Sequence, residues 1–327
     1  MTAQIVLNEN CLHVLGRMPD NSVSAIVTDP PYGLSFMGRG WDKVLPDPAI
    51  WRECLRVLKP GGHMVAFGAP RVYHRLAVDI EDQGFEIRDC LMWLYGSGFP
   101  KSLNVGKALP AWEGFGTALK PAWEPILLAR KPLGTTVAKC VLAHGTGALN
   151  IDATRIGTSK DVPASVSRST DRTSYGAAKE TGAESGHDPN VGRWPANLIL
   201  DEGPEDWRRY FYCAKASRSE REAGLDAFEV AHVDPTRAEG SDGRKSPRAG
   251  AGRGSKRKNA HPTVKPLALM RWLVRLVGGD GSGLIMDPFT GSGTTGAACA
   301  AEGRAFLGCE LDARHAAVAR ARIAHHG

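Results

Sequence analysis

The chain has 327 residues, 42% hydrophobic and 23% charged, which are ordinary globular proportions with length for one large α/β domain or two modest ones. No apolar run approaches the about 20 residues needed to cross a bilayer, and Met1 to Leu15 lacks the basic start and cleavage site of an export signal, so a membrane protein is excluded and a cytoplasmic one expected. The seven cysteines include no Cys-x-x-Cys pair, which favours reduced thiols over a disulfide frame or a metal site.

Short apolar segments alternate with helix-length amphipathic ones at both ends of the chain, the rhythm of βαβ units around a parallel sheet. Met1 to Leu15 alternates apolar and polar residues, with a strand at Gln4–Leu7. Further strands are expected at Ala25–Thr28, His63–Phe67, Ile87–Leu94 and Pro125–Ala129, with helices at Ala49–Leu58 and Arg71–Gln83. The first helix should stop at Lys59-Pro60-Gly61-Gly62 and the second at Gly84. From about Leu133 to Asn259 the composition shifts to Gly, Ser, Thr, Asp and Arg, with few apolar runs beyond Ala196–Leu200. This stretch reads as an insertion or a smaller domain, partly disordered. Order returns with a helix over Pro266–Val277, then strand Leu284–Met286, a glycine loop, helix Gly296–Glu302, strand Ala305–Gly308 and helix Ala313–Ala324. The fold class is therefore α/β, a doubly wound, mostly parallel, Rossmann-like sheet with a central insertion. Its expected organisation is 1–132, 133–259 and 260–327, the outer two segments being halves of one sheet.

The net charge is +6, and residues 100–258 supply all of it, with 25 Lys/Arg against 19 Asp/Glu. Ser241 to Lys258 alone holds Arg244, Lys245, Arg248, Arg253, Lys256, Arg257 and Lys258 against Asp242. A mobile basic run of this kind suits a polyanion.

Two constellations carry chemistry. Asp287-Pro288-Phe289-Thr290-Gly291-Ser292-Gly293-Thr294-Thr295-Gly296 follows a strand and opens a helix. Its glycines let the backbone turn tightly and approach a ligand, and the helix start offers free N–H groups. Glu310, 17 residues beyond Gly293, stands where an acid grips ribose hydroxyls. An adenosine-containing cofactor is the natural candidate, although a dinucleotide would suit the loop as well. The second is Asp29-Pro30-Pro31-Tyr32-Gly33 at the carboxyl end of a strand. Paired prolines make a rigid corner rich in acceptors. A carboxylate and a backbone carbonyl can hold both hydrogens of an exocyclic amine while the tyrosine ring stacks on the heterocycle.

Together with His261-Pro262-Thr263-Val264-Lys265-Pro266, these motifs resemble the S-adenosylmethionine-dependent DNA amino-methyltransferases of the β chain order, in which the catalytic motif comes first and the cofactor loop last. The resemblance covers roughly residues 4–130 and 260–325. It implies a class I methyltransferase fold in permuted order, with both motifs meeting on one sheet, and a transfer of methyl to adenine N6 of double-stranded DNA. Asp29, Pro30, Pro31 and Tyr32 would form the catalytic corner. Asp287, Phe289, Gly291, Gly293, Thr294 and Glu310 would hold the cofactor, with Thr263 and Lys265 near its methionine carboxylate and Asn10, where the family usually has an acid, near its adenine. No metal is implied. A role in restriction–modification is part of this expectation, whereas a recognition site, an endonuclease partner and a homodimer are left open by the sequence.

DNA contacts are expected from Arg39, in the loop Leu34–Lys43, and from the basic run ending at Lys258, with Lys101, Lys107, Arg155, Arg193, Arg208, Arg209, Lys215 and Arg218 as further candidates. The alternatives are cytosine N4 as the target, an RNA or protein amide methyltransferase, a non-catalytic DNA-binding relative and an NAD-linked oxidoreductase. The last leaves Asp29–Tyr32 and the basic insertion without a role. Cytosine carbon-5 methylation needs a thiolate nucleophile, and no Pro-Cys motif is present.

Overall fold

The computed structural model describes residues 2–34, 40–96, 98, 102–157, 192–200, 211–232 and 256–327. Strand β1 (Gln4–Leu7) forms where expected and leads into helix α1 (Cys11–Arg17), an element not expected from the sequence. Cys11, Val14 and Leu15 fall on one helical face and are buried, and the Asn10 side chain caps the helix by accepting from the Leu12 N–H at 2.8 Å.

Strand β2 (Val23–Thr28) is buried along its whole length. Helix α2 (Pro48–Val57) starts with proline behind an Asp47 cap. Strand β3 (Leu58–Phe67) follows without a break, so the Lys59-Pro60-Gly61-Gly62 segment read as a helix stop is also the start of a strand. Gly61 has a φ of +72°, and a Cβ there would lie 2.7 Å from Cys140 Sγ and 2.8 Å from Gly147 Cα; the glycine admits helix α4 (Val137–His144) against the sheet. Helix α3 (Tyr73–Glu81), strand β4 (Glu86–Leu94) and strand β5 (Trp123–Arg130) complete the first part. Within the central region lie β6 (Leu198–Leu200), β7 (Phe211–Tyr212), helix α5 (Arg218–Glu222), β8 (Ala231–His232) and β9 (Lys256–Arg257). Helix α6 (Leu267–Val277), strand β10 (Leu284–Asp287), helix α7 (Thr294–Ala301), strand β11 (Phe306–Cys309) and helix α8 (Ala313–His326) close the chain.

The main sheet has the order β1-β11-β10-β2-β3-β5-β4-β6-β7. Among its described strands, only β5 runs antiparallel to its neighbours. The last two strands thus sit between the first two, which is the permuted single sheet expected from the sequence. Strand residues alternate between two apolar layers: Val27, Val65 and Ile285 pack with α6, α7 and α8, whereas Ile26, Met64 and Met286 pack with α1, α2 and α3. Burial on both faces explains the near-continuous apolar runs of the central strands. The seven cysteines are free thiols, all but Cys90 buried, and no described helix is long and apolar enough to cross a membrane.

Because β10 and β11 bridge β1 to β2, a chain ending at Gly283 leaves those N-terminal strands without a common partner. Circular dichroism of this truncation should show no cooperative thermal transition. A surviving sharp transition would mean that the N-terminal strands form a sheet of their own.

Candidate active site

Strands β2 and β10 are parallel neighbours in the middle of the sheet, and the chain leaves them toward opposite edges. Such a switch point opens a crevice at the carboxyl ends of the strands. Asp287, the last residue of β10, is 2% exposed. Its Oδ1 accepts from Thr28 Oγ1 at 2.6 Å and from the Phe289 N–H at 3.0 Å, and its Oδ2 accepts from Thr295 Oγ1 at 2.7 Å. One carboxylate therefore ties the end of β2, the turn after β10 and the first turn of α7. Burial pushes the Asp287 carboxyl up to about 6, against the pull of the Thr28 and Thr295 hydroxyls.

Asp29 directly follows Thr28. The Tyr32 hydroxyl donates to Asp29 Oδ1 at 2.6 Å, and Lys265 Nζ stands 2.8 Å from Asp29 Oδ2. The same ammonium donates to the Tyr32 oxygen at 3.0 Å, lies 3.2 Å from Glu124 Oε2 and sits 4.7 Å from the Phe67 ring centroid. Pro30 is buried, and Pro31 and Tyr32 are half-buried. Buried Asp42, from the single helical turn Gly40–Asp42, sets the corner from below: its Oδ1 accepts from the N–H groups of Tyr32 at 2.7 Å and Gly33 at 3.1 Å. Burial raises the Asp29 carboxyl, partly offset by Lys265 and the Tyr32 hydroxyl. Tyr32 is raised well above its ordinary value by burial and then by the Asp29 charge.

The glycine loop faces a different set of groups. Gly291 has a φ of +53°, and a Cβ there would lie 2.9 Å from His261 Nε2. The His-Pro-Thr segment therefore packs directly on the loop, and Thr263 N–H is turned to His261 Nδ1 at 3.4 Å. Gly293 has a φ of +81°, and a Cβ would meet the Ala319 backbone at 2.8 Å. Glu310, just past β11, accepts from the Gly291 N–H on Oε2 and from the Asp312 N–H on Oε1, both at 2.8 Å. Burial pushes its carboxyl up to about 7 despite these donors. Phe289 is half-buried beside Trp51, with ring centroids 6.0 Å apart. The Thr294 hydroxyl accepts from buried Arg322 at 3.1 Å, and the Asn10 oxygen serves as the α1 cap.

Of the residues expected to meet DNA, Arg39, Lys101, Arg208, Arg209, Arg244, Lys245, Arg248 and Arg253 lie outside the described residues. Lys256 and Arg257 form β9, paired antiparallel with β8, and Lys258 makes an ion pair with Asp226 at 3.4 Å. Arg155 pairs with Asp152 at 2.8 Å, Arg218 with Glu222 at 3.3 Å, and Lys215 lies 3.4 Å from the Tyr95 ring centroid.

Glu124, Asp42, Thr28 and Thr295 were not among the site residues expected from the sequence. Glu124 is the second residue of the antiparallel strand β5, whose amino end reaches the edge that the parallel strands reach with their carboxyl ends; an acid at the start of a strand carries no such signal in the sequence.

Comparison with known proteins follows the same outline. Type II methyltransferase M.HindIII of Haemophilus influenzae is 25% identical over 198 residues, 44% of this chain and 64% of that protein. DNA adenine methyltransferase YhdJ of Escherichia coli is 42% identical over 55 residues, 17% of this chain and 18% of that protein. The chain thus covers less than two thirds of the length of each of these relatives. The solved structure of PvuII DNA methyltransferase (cytosine-N4-specific) shares the fold, with a TM-score of 0.53 at 15% identity over 98% of this chain and 86% of that one. The N6/N4 methyltransferase family model, described as DNA methylase, matches residues 23–321, from the start of β2 into α8, and the chain belongs to that family.

Proposed function

We propose that the chain transfers the methyl group of S-adenosylmethionine to the exocyclic N6 amine of adenine in double-stranded DNA. The observation that carries this reading is the Thr28–Asp287 hydrogen bond of 2.6 Å, which ties the Asp-Pro-Pro-Tyr corner to the glycine loop at the switch point of the sheet.

The residues present fit an adenosine-bearing donor. Gly291 leaves no room for a Cβ between the loop and His261, so the loop backbone packs tightly there, and the Glu310 carboxylate is turned onto that loop. Glu310 would accept from ribose hydroxyls, Phe289 would flank the adenine, and Thr263 would lie toward the methionine end. When bound, S-adenosylmethionine supplies an electrophilic methyl group on its sulfonium.

An exocyclic base amine is a weak nucleophile because its lone pair is delocalised into the ring. Asp29 and the Pro30 carbonyl would accept its two hydrogens, favouring a more tetrahedral nitrogen and stabilising the positive charge that develops there. The Tyr32 ring would stack on the extruded base and offset part of the few kcal/mol that unstacking costs. Residues 133–259 would choose the target sequence, with the basic run from Arg244 to Lys258 holding phosphates.

Adenine is preferred over cytosine because the tetrapeptide opens with Asp29, the commoner adenine form in the resembling family. The short match to YhdJ, itself a DNA adenine methyltransferase by name, supports the same choice. The test is to incubate the protein with unmethylated DNA and the methyl donor and identify the modified nucleoside by mass spectrometry. N6-methyladenine is expected; N4-methylcytosine would overturn the base, and no methylated nucleoside would overturn the activity. Asp29→Ala should lower turnover by about a thousandfold or more while calorimetry still detects donor binding.

Donor binding should also depend on pH. A carboxylate accepts hydrogen bonds more strongly when ionised, so ribose contact favours the charged form of Glu310, whose carboxyl is held at about 7 without ligand. Affinity is expected to rise between pH 6 and pH 8, about the window around that value, with the rise lost in Glu310→Gln. Titration calorimetry that finds the same pH dependence in the variant would remove Glu310 from the ribose site.

A further inference from the structure

Two carboxylates share one ammonium at the catalytic corner. Lys265 Nζ is 2.8 Å from Asp29 Oδ2 and 3.2 Å from Glu124 Oε2, and the three side chains are 8%, 17% and 18% exposed in that order. Lys265 comes from the segment before α6, Asp29 from the end of β2 and Glu124 from the start of β5, so three separate elements converge on this point. The Phe67 and Tyr32 rings line it, with centroids 4.7 and 5.5 Å from the ammonium.

Both Asp29 oxygens are engaged, Oδ1 by the Tyr32 hydroxyl and Oδ2 by Lys265. A target amine that donates to Asp29 must share or take one of these positions. An ammonium displaced from a buried carboxylate with no second counter-ion would be left uncompensated. Glu124 is within reach without a change of element.

We propose that Lys265 and Glu124 are a positioning pair: Lys265 keeps Asp29 charged and aimed, and Glu124 retains the ammonium as the target amine takes its place at Asp29. The inference rests on the amine-accepting role proposed above for Asp29, and it gives Lys265 a function at the acceptor base in place of the donor's carboxylate. The directions of titration agree. Burial, then Glu124, push the Asp29 carboxyl up while Lys265 and Tyr32 pull it down. Burial alone would lower the Lys265 ammonium, but Asp29 and Glu124 hold it above its ordinary value. Among the described residues, Tyr32, Tyr95 and Asp287 are the other titratable groups facing the cluster.

The pair makes opposite predictions for its two members. In the full chain labelled with carboxyl-13C aspartate, with Asp29 assigned by Asp29→Asn, Lys265→Met should move the Asp29 titration midpoint up by about 1–3 units. Glu124→Gln should move it down, and Lys265→Arg should leave it near the wild-type value. A midpoint that does not move, or that moves the same way in both variants, would overturn the pairing. If Lys265→Met does not fold, the downward shift in Glu124→Gln decides. This titration needs neither DNA nor methyl donor, so a chain inactive on DNA would contradict the proposed function without touching the result. In single-turnover assays, Glu124→Gln should slow methyl transfer with donor affinity unchanged; an unchanged rate, or weakened donor binding in Lys265→Met, would sink the role at the acceptor base.

Discussion

The carboxylate of Asp287 is the contact on which the site depends. It is buried, and its two oxygens take hydrogen bonds from Thr28 at the end of β2, from the Phe289 backbone and from Thr295 in α7. A buried carboxylate left without such donors is costly, so the three donors and the acceptor stabilise one arrangement together. That arrangement brings residues 259 positions apart in the chain to 2.6 Å. Asp29 lies one residue beyond one end of the contact and the glycine loop begins one residue beyond the other. The permuted order of the chain therefore costs the site nothing, because the sheet interleaves β10 and β11 between β1 and β2.

A second feature follows from the same burial. Asp29, Asp287 and Glu310 crowd carboxyl groups around one crevice, and each is raised, foremost by burial. Each also has its own donors: Lys265 and Tyr32 at Asp29, hydroxyls and a backbone N–H at Asp287, and two backbone N–H groups at Glu310. Separate partners keep the three groups distinct in chemistry, with one turned toward the glycine loop, one holding the frame and one at the Pro-Pro corner. Glu124 joins them as the second counter-ion of Lys265, at 3.2 Å, and comes from the antiparallel strand β5.

Much of this was legible in the sequence, for identifiable reasons. Strands such as Gln4–Leu7 and Leu284–Met286 were readable from apolar runs between helix-length segments, and the glycine loop from spacing that only tight backbone turns require. Helix α1 was not legible, because seven residues with polar and apolar positions interspersed resemble an alternating strand until Cys11, Val14 and Leu15 are seen on one buried face. The His63–Phe67 part of strand β3 was legible, but its start at Leu58 hid behind Pro60-Gly61, where packing against α4 prevails over the local preference for a stop. Lys265 shows the limit at the site: its motif marks it as functional, but a linear sequence cannot say that its ammonium turns to Asp29 and Glu124.

The most direct measurement is a crystal structure with duplex DNA and a non-reactive analogue of the methyl donor. The expected complex holds an extruded adenine stacked on Tyr32, its N6 donating to Asp29 and the Pro30 carbonyl and lying about 3–3.5 Å from the transferring position of the analogue, with the analogue's ribose at Glu310. An analogue bound away from the Gly291 loop, or a base whose amine faces elsewhere while Asp29 keeps only Tyr32 and Lys265, would contradict it.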